Sequence, residues 1–154
     1  MALEIERKFL VVGDGWRAGA EGVPYRQGYL ATEPERNVRV RLAGPKAKLT
    51  IKGQDQGIAR IELEYPIPVE DAELLLDRLC HRPLIEKTRY KIEHAGHTWD
   101  LDEFHGDNAG LIVAEIELGS EDEAFERPPW AGDEVTHDPR YLNANLVSLP
   151  FSRW

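Results

Sequence analysis

Like charges recur two residues apart along this 154-residue chain: Glu4 and Glu6, Arg39 and Arg41, Glu62 and Glu64, Lys87 and Arg89, Asp100 and Asp102, Glu115 and Glu117. Side chains of an extended strand alternate sides with period two, so each pair shares one face. Lys8 extends the first pair, Arg60 the third and Lys91 the fourth, while Thr50 and Lys52 share a face of their own. The opposite faces are apolar: Leu3, Ile5 and Phe9; Val38, Val40 and Leu42; Leu49 and Ile51; Ile61, Leu63 and Tyr65; Trp99 and Leu101; Ala114, Ile116 and Leu118. Taken singly, such a strand is an ordinary half-buried one with a solvated charged face. Taken together, the pairs ask for more, because like charges held close destabilise a sheet unless opposite charge sits between them. Bound metal ions would compensate the acids, and a polyphosphate would compensate the bases. Parity does not say which face is inside.

Composition bounds the choices. Hydrophobic residues make up 42% and charged residues 31%, which fits one globular domain spanning 1–154 rather than disorder. The net charge of −9 argues against nucleic acid and anionic membranes as partners, since general phosphate-backbone binders are basic. It argues against a small polyanionic substrate only if the bases are scattered. No apolar run is long enough to span a bilayer, and the acidic start lacks the pattern of a signal peptide. Cys80 is the single cysteine, so no intrachain disulfide forms, and a cytoplasmic location is the expectation. Oligomeric state is not fixed by the sequence; a homodimer is compatible with it.

The elements that must position these charges are mostly strands. Alternation predicts strands at 2–12, 24–32, 36–43, 46–53, 58–67, 84–95, 97–105 and 110–119, separated by glycine-rich turns. Helical spacing predicts one helix at 69–80, with acids in its first turn. Ser120 with Glu123 three residues on predicts a helix over 120–126. A short helix is predicted at 139–148. Eight evenly spaced strands suggest a barrel or a strongly curved sheet with helices outside or at one end, and a barrel of that size holds one small ligand.

Glu4-x-Glu6-x-Lys8 resembles the signature of the CYTH superfamily, the triphosphate tunnel metalloenzymes related to class IV adenylyl cyclases and thiamine triphosphatases. Val38-Arg39-Val40-Arg41 resembles the family's paired-arginine strand, and Leu49-Thr50-Ile51-Lys52-Gly53 its lysine strand. Glu62-Leu63-Glu64-Tyr65, Glu86-Lys87-Thr88-Arg89-Tyr90, Trp99-Asp100-Leu101-Asp102-Glu103-Phe104 and Ala114-Glu115-Ile116-Glu117-Leu118 follow in the family's order. Gln27-Gly28-Tyr29-Leu30 and the stretch from Glu134 to Asn143 resemble its compact bacterial branch. The resemblance covers nearly the whole chain.

It implies an α+β protein: an eight-stranded antiparallel barrel forming a charged tunnel, with helices outside and at one end. It further implies that the charged parity points inward, which makes the chain a metal-dependent triphosphatase. Lys8, Arg39, Arg41, Lys52, Lys87 and Arg89 would surround the triphosphate, arginine as planar bidentate donor and lysine as point charge. Glu4, Glu6, Asp102, Glu115 and Glu117 would bind two metal ions, and such hard oxygen donors suit Mg2+ or Mn2+. Glu62 and Glu64 would hold basic neighbours. Tyr29 beside Lys87 would form a proton-accepting dyad; the alternative is a buried tyrosine making one hydrogen bond. No module for a base or thiazolium ring is evident, so inorganic tripolyphosphate is the expected substrate. A class IV adenylyl cyclase, a thiamine or nucleoside triphosphatase and a non-catalytic polyphosphate-binding module are the alternatives.

Overall fold

In the computed structural model, residues 3–54 and 58–154 are described. The strands are β1 (Leu3–Val11), β2 (Gly22–Glu33), β3 (Arg36–Ala43), β4 (Lys46–Gly53), β5 (Ala59–Pro66), β6 (Ile85–His94), β7 (His97–Phe104), β8 (Ile112–Glu117) and β9 (Ala131–Glu134). The helices are α1 (Val69–Arg78) and α2 (Asn143–Ser148). Eight strands pair antiparallel in a closed ring, β1-β5-β4-β3-β2-β6-β7-β8 and back to β1. Each lies within two residues of its expected bounds, with residues 2 and 55–57 outside the described range. The β6–β7 hairpin turns on Ala95 and Gly96, both at positive φ, so that His94 and His97 face each other across a two-residue loop.

Two expectations about the rest fail. No helix forms over 120–126. The cap itself does not form: the Ser120 hydroxyl donates to Asp122 Oδ1 at 3.0 Å, the Glu123 N–H donates to the Ser120 carbonyl at 3.3 Å, and Glu123 Oε1 takes the Gly119 N–H at 2.5 Å. Propagation fails because Phe125 is drawn onto Phe9 and Trp99, and Pro128-Pro129 follow at once. Instead the chain runs on to β9, a ninth strand that pairs with the Phe9–Val11 end of β1, beyond its pairing with β5. Its sequence, Ala131 to Glu134, carries no alternation to reveal it. The helix expected at 139–148 is split: Pro139–Tyr141 is a 3-10 turn, Leu142 is extended, and α2 begins at Asn143.

The two faces of the ring are packed differently. Outside β2, β3 and β4, α1 seats Ala72 and Leu76, with Cys80 just past its end, against Val40, Ala47 and Leu49. Gly28 lets that face close up: a Cβ there would lie 2.8 Å from both Cys80 Cβ and Leu84 Cδ2. Outside β1, β6, β7 and β8, Trp16, Phe125 and Trp130 cover Phe9, Trp99, Leu101, Ala114 and Ile116. The apolar parity therefore points outward, and burial of each large side chain there contributes roughly 1.5–3 kcal/mol.

The inward rows change character along the strands. At one end Leu10, Tyr29, Ile85, Phe104 and Val113 pack with Tyr141, Leu146 and Val147, so α2 and its preceding turn fill that end of the ring. Continuing along the same parity, Leu10 gives way to Lys8, Glu6 and Glu4; Ile85 to Lys87, Arg89 and Lys91; Phe104 to Asp102 and Asp100; Val113 to Glu115 and Glu117. At the far end Lys46, Lys91 and Glu117 are exposed. No described helix is long and apolar enough to cross a membrane.

Candidate active site

The charged rows enclose a cavity of about 560 Å3. Among the described residues, nine Lys and Arg side chains line it against seven acids, so bases are concentrated inside a molecule of net charge −9. The cavity is polarised. Strands β3 and β4 contribute Arg39, Arg41, Lys46, Lys48 and Lys52. The strands across the ring, β7, β8 and β1, contribute Asp100, Glu115, Glu117, Glu4 and Glu6 together with one base, Lys8. Within each wall like charges stand as direct cross-strand partners: Arg41 with Lys48, Glu6 with Glu117, and Asp100 with Glu115. Such pairs are destabilising on their own. A polyanion against the first wall and a cation against the second would relieve both.

Part of the charge is compensated internally. Glu64 takes Lys48 at 3.1 Å, lies 3.7 Å from Arg39 and 3.8 Å from Arg41, and accepts from the Thr50 hydroxyl at 3.0 Å. Lys52 bonds Glu4 at 2.8 Å and lies 3.4 Å from Glu62. Glu62 and Glu64 thus contact the bases they were expected to hold. Lys8 donates to the Tyr141 carbonyl at 3.0 Å and pairs with Glu115 at 3.3 Å. Toward the floor, Asp102 binds Lys87 Nζ at 2.8 Å, and also Arg89 Nε at 2.8 Å and Nη2 at 2.9 Å. Asp102 and Lys87 are almost fully buried and do not border the cavity, whereas Arg89 does.

The acidic wall shows its crowding in its proton affinities. Burial, then repulsion from Glu115 and Glu4, pushes Glu6 up to about 8. Burial, then a hydrogen bond and repulsion from Glu4, pushes Glu62 up to about 7. Burial with repulsion from Glu4 and Asp100 also raises Glu117. Burial acts the same way on Glu4, but Lys52 outweighs it and holds Glu4 down to about 2. Among the described residues no three acidic, histidine or cysteine side chains are already gathered as a metal cage. The donor set nonetheless fits a hard divalent cation: Glu4, Glu6, Glu115 and Glu117 are carboxylates on adjoining strands facing one cavity, one of them retaining its proton at neutral pH, and a cation would displace that proton.

Tyr29 is buried, borders the cavity and packs in the apolar cluster at its floor. Among the described residues no hydrogen bond joins it to Lys87, whose ammonium is held by Asp102. Burial, only partly offset by Asp102, lowers Lys87 to about 8. The residue directly across from Lys87 is Tyr25, whose ring lies 5.2 Å from the Arg41 guanidinium, 4.9 Å from that of Arg89 and 6.0 Å from Lys87 Nζ. Tyr25, Lys48, Arg60 and Asp100 border the cavity without having been singled out as site residues. For the three charged ones the signal was present, since each continues the parity of a residue that was. Tyr25 had only its parity with Tyr29.

Comparison with known proteins agrees with this geometry. An inorganic triphosphatase of Acetivibrio thermocellus is 51% identical over 154 residues, covering 100% of this chain and 99% of that protein. An inorganic triphosphatase of Nitrosomonas europaea is 42% identical, covering 96% of this chain and 99% of that protein. The crystal structure of an inorganic triphosphatase superposes with a TM-score of 0.65 at 40% identity, covering 96% of this chain and 95% of that one. The family model of the CYTH domain matches residues 2–147, and the chain belongs to that family.

Proposed function

We propose that this chain hydrolyses inorganic tripolyphosphate to pyrophosphate and phosphate in a metal-dependent reaction inside the ring. The observation that carries this is the polarised cavity, with like-charge pairs of opposite sign on facing walls that Glu64, Lys8, Arg89 and Lys91 compensate only in part. The relatives named inorganic triphosphatase support the same substrate.

Phosphoryl transfer asks mostly for positioning and charge neutralisation, and this chain supplies both. Arg39 and Arg41 grip phosphate oxygens bidentately, steadied by Glu64. Lys52, Arg89 and Lys8 add charge from neighbouring strands, and Lys87 supports them from the floor. Glu4, Glu6, Glu115 and Glu117 would hold the divalent cations, Mg2+ or Mn2+ and two in number; Asp102 would join them only by releasing Lys87 and Arg89. When bound, such ions neutralise phosphate oxygens and make the attacking water more acidic. That water forms the new P–O bond as the bridging P–O bond breaks, with pyrophosphate and phosphate as products. Tyr29, placed on the cavity floor, takes the proton of the water; Lys87 joins it as a dyad only by leaving Asp102 and giving up its own proton, which its affinity, lowered to about 8, favours.

Tyr29→Phe is expected to lower kcat by about 100-fold, the lower range for a lost general base, with KM unchanged. A wild-type kcat would assign Tyr29 to packing alone. Substrate identity is settled by supplying Mg2+ or Mn2+ with tripolyphosphate, ATP or thiamine triphosphate in turn, and quantifying phosphate and cyclic AMP. Tripolyphosphate is expected to give the highest kcat/KM. Cyclic AMP as the main product from ATP would overturn hydrolysis as the activity, and no turnover of any substrate would leave a binding module.

A further inference from the structure

Gln27 is fully buried, and neither Nε2 nor Oε1 of its amide has a hydrogen-bond partner in the protein. A buried amide left unpaired is destabilising, so a chain that keeps one for packing alone would do better with leucine. Its place gives a reason for it. On β2 it lies between Tyr25 and Tyr29, which both border the cavity, while Gly28 points the other way against Cys80 and Leu84. Gln27 therefore belongs to the inward row. Directly across from it on β3 stands Arg41, and Arg39, opposite Tyr29, is its diagonal neighbour. On its other side it faces Ile85, with Lys87 on the diagonal. Diagonal neighbours lie within reach of long side chains.

Arg39 carries the complementary defect. Its Nη2 donates to Thr50 at 3.3 Å, but its buried Nε has no partner. An unused acceptor and an unused charged donor thus sit on adjacent strands beneath the basic wall. We propose that Gln27 is a positioning residue for the paired arginines, its Oε1 accepting from Arg39 Nε–H once a triphosphate draws the guanidinium groups toward it. That role presupposes triphosphate hydrolysis in this cavity. In the free protein the two groups stay apart and both are unpaired; in the complex the bond fixes the plane of the Arg39 guanidinium, which a bidentate phosphate contact needs.

The test uses the full chain and compares wild type with Gln27→Leu, and with Gln27→Met in case the branched side chain does not fit. Thermal midpoints are measured without substrate, and kcat and KM with tripolyphosphate and Mg2+. The expected result is a Tm equal to or above wild type together with a KM raised tenfold or more. In an Arg39→Lys background, which lacks the Nε–H fork, the same Gln27 substitution should add nothing further. Wild-type KM in both Gln27 variants would overturn the assignment, as would a lowered Tm in both, or effects of Gln27→Leu and Arg39→Lys that simply multiply. Failure of the wild-type protein to hydrolyse tripolyphosphate would instead reject the activity on which the role depends.

Discussion

Glu6→Gln is expected to abolish turnover while making the substrate-free protein more stable in alkaline buffer. Glu6 faces Glu117 across the β1–β8 ladder, and burial with its acidic neighbours raises its affinity for a proton to about 8. A carboxyl raised this way binds more protons in the folded than in the unfolded state between pH 4.5 and about 8. Stability through this group therefore falls as pH rises across that window. The amide has no proton to lose and no charge to repel, so the variant escapes the penalty. At pH 8.5 its Tm should exceed that of wild type by several degrees, on the scale of roughly 2–4 °C per kcal/mol for a chain of this size. Activity should move the opposite way. Loss even of groups that only orient metal ligands costs about 10–100-fold, and removal of a ligand should cost at least the upper figure in kcat. Tm and kcat at pH 7 and 8.5 check both halves. A variant that is both active and no more stable would mean that Glu6 is an ordinary strand residue.

Asp102→Asn should have the largest effect on folding. Asp102 is the shared counter-ion of Lys87 and Arg89, and the three close the cavity floor. Burial opposes its ionisation, but Lys87 and Arg89 outweigh it and hold its carboxyl below the usual aspartate range. Stability from a carboxyl held down is present above the unfolded value of 3.8 and is lost as pH falls through the folded value. Breaking a buried ion pair by removing one partner costs about 3–5 kcal/mol, because the other charge stays buried and unpaired. The expected loss in Tm is roughly 6–20 °C at neutral pH. Lys87 gives this a recognisable pH dependence. Burial already lowers its affinity to about 8, and Asp102→Asn removes the negative charge that chiefly opposes that lowering, so the lysine in the variant should shed its proton near or below neutrality. The unfolded chain then binds the extra proton, and the variant should regain stability as pH rises from 6 to 9. Arg89 cannot follow, so recovery stays partial. Thermal midpoints across that range check the claim; a variant that melts with wild type would show that the floor triad contributes nothing net.

Much of this was legible in the chain, and for identifiable reasons. Alternation set the strands, because each has one face packed under a cover and one row pointing inward. The repeated like-charge pairs pointed to compensation by ligands, since six such pairs on half-buried strands are hard to explain as solvated surface. The direction of the charged face was not legible from parity, which is symmetric; it is decided by α1 and by Phe125 and Trp130 covering the apolar side. Residues 120–126 misled because a helix cap is local, while the pull of Phe125 onto Phe9 and Trp99 is not. The closed floor could not be read from 139–148 alone, since it depends on Leu146 and Val147 meeting Ile85, Phe104 and Val113 from distant strands. The pairing of Asp102 with Lys87 and Arg89 was hidden likewise: the register of β6 against β7 sets it.

In the proposed function tripolyphosphate and divalent cations meet inside the ring, the phosphates on the β3–β4 wall and the ions on the β1–β8 wall. A crystal grown with Mn2+ and a non-hydrolysable imido analogue of tripolyphosphate tests it through the anomalous signal of manganese. The expected peaks lie among Glu4, Glu6, Glu115 and Glu117, with the terminal phosphate oxygens on Arg39 and Arg41. Manganese outside the ring, or the analogue bound away from both arginines, would contradict the account.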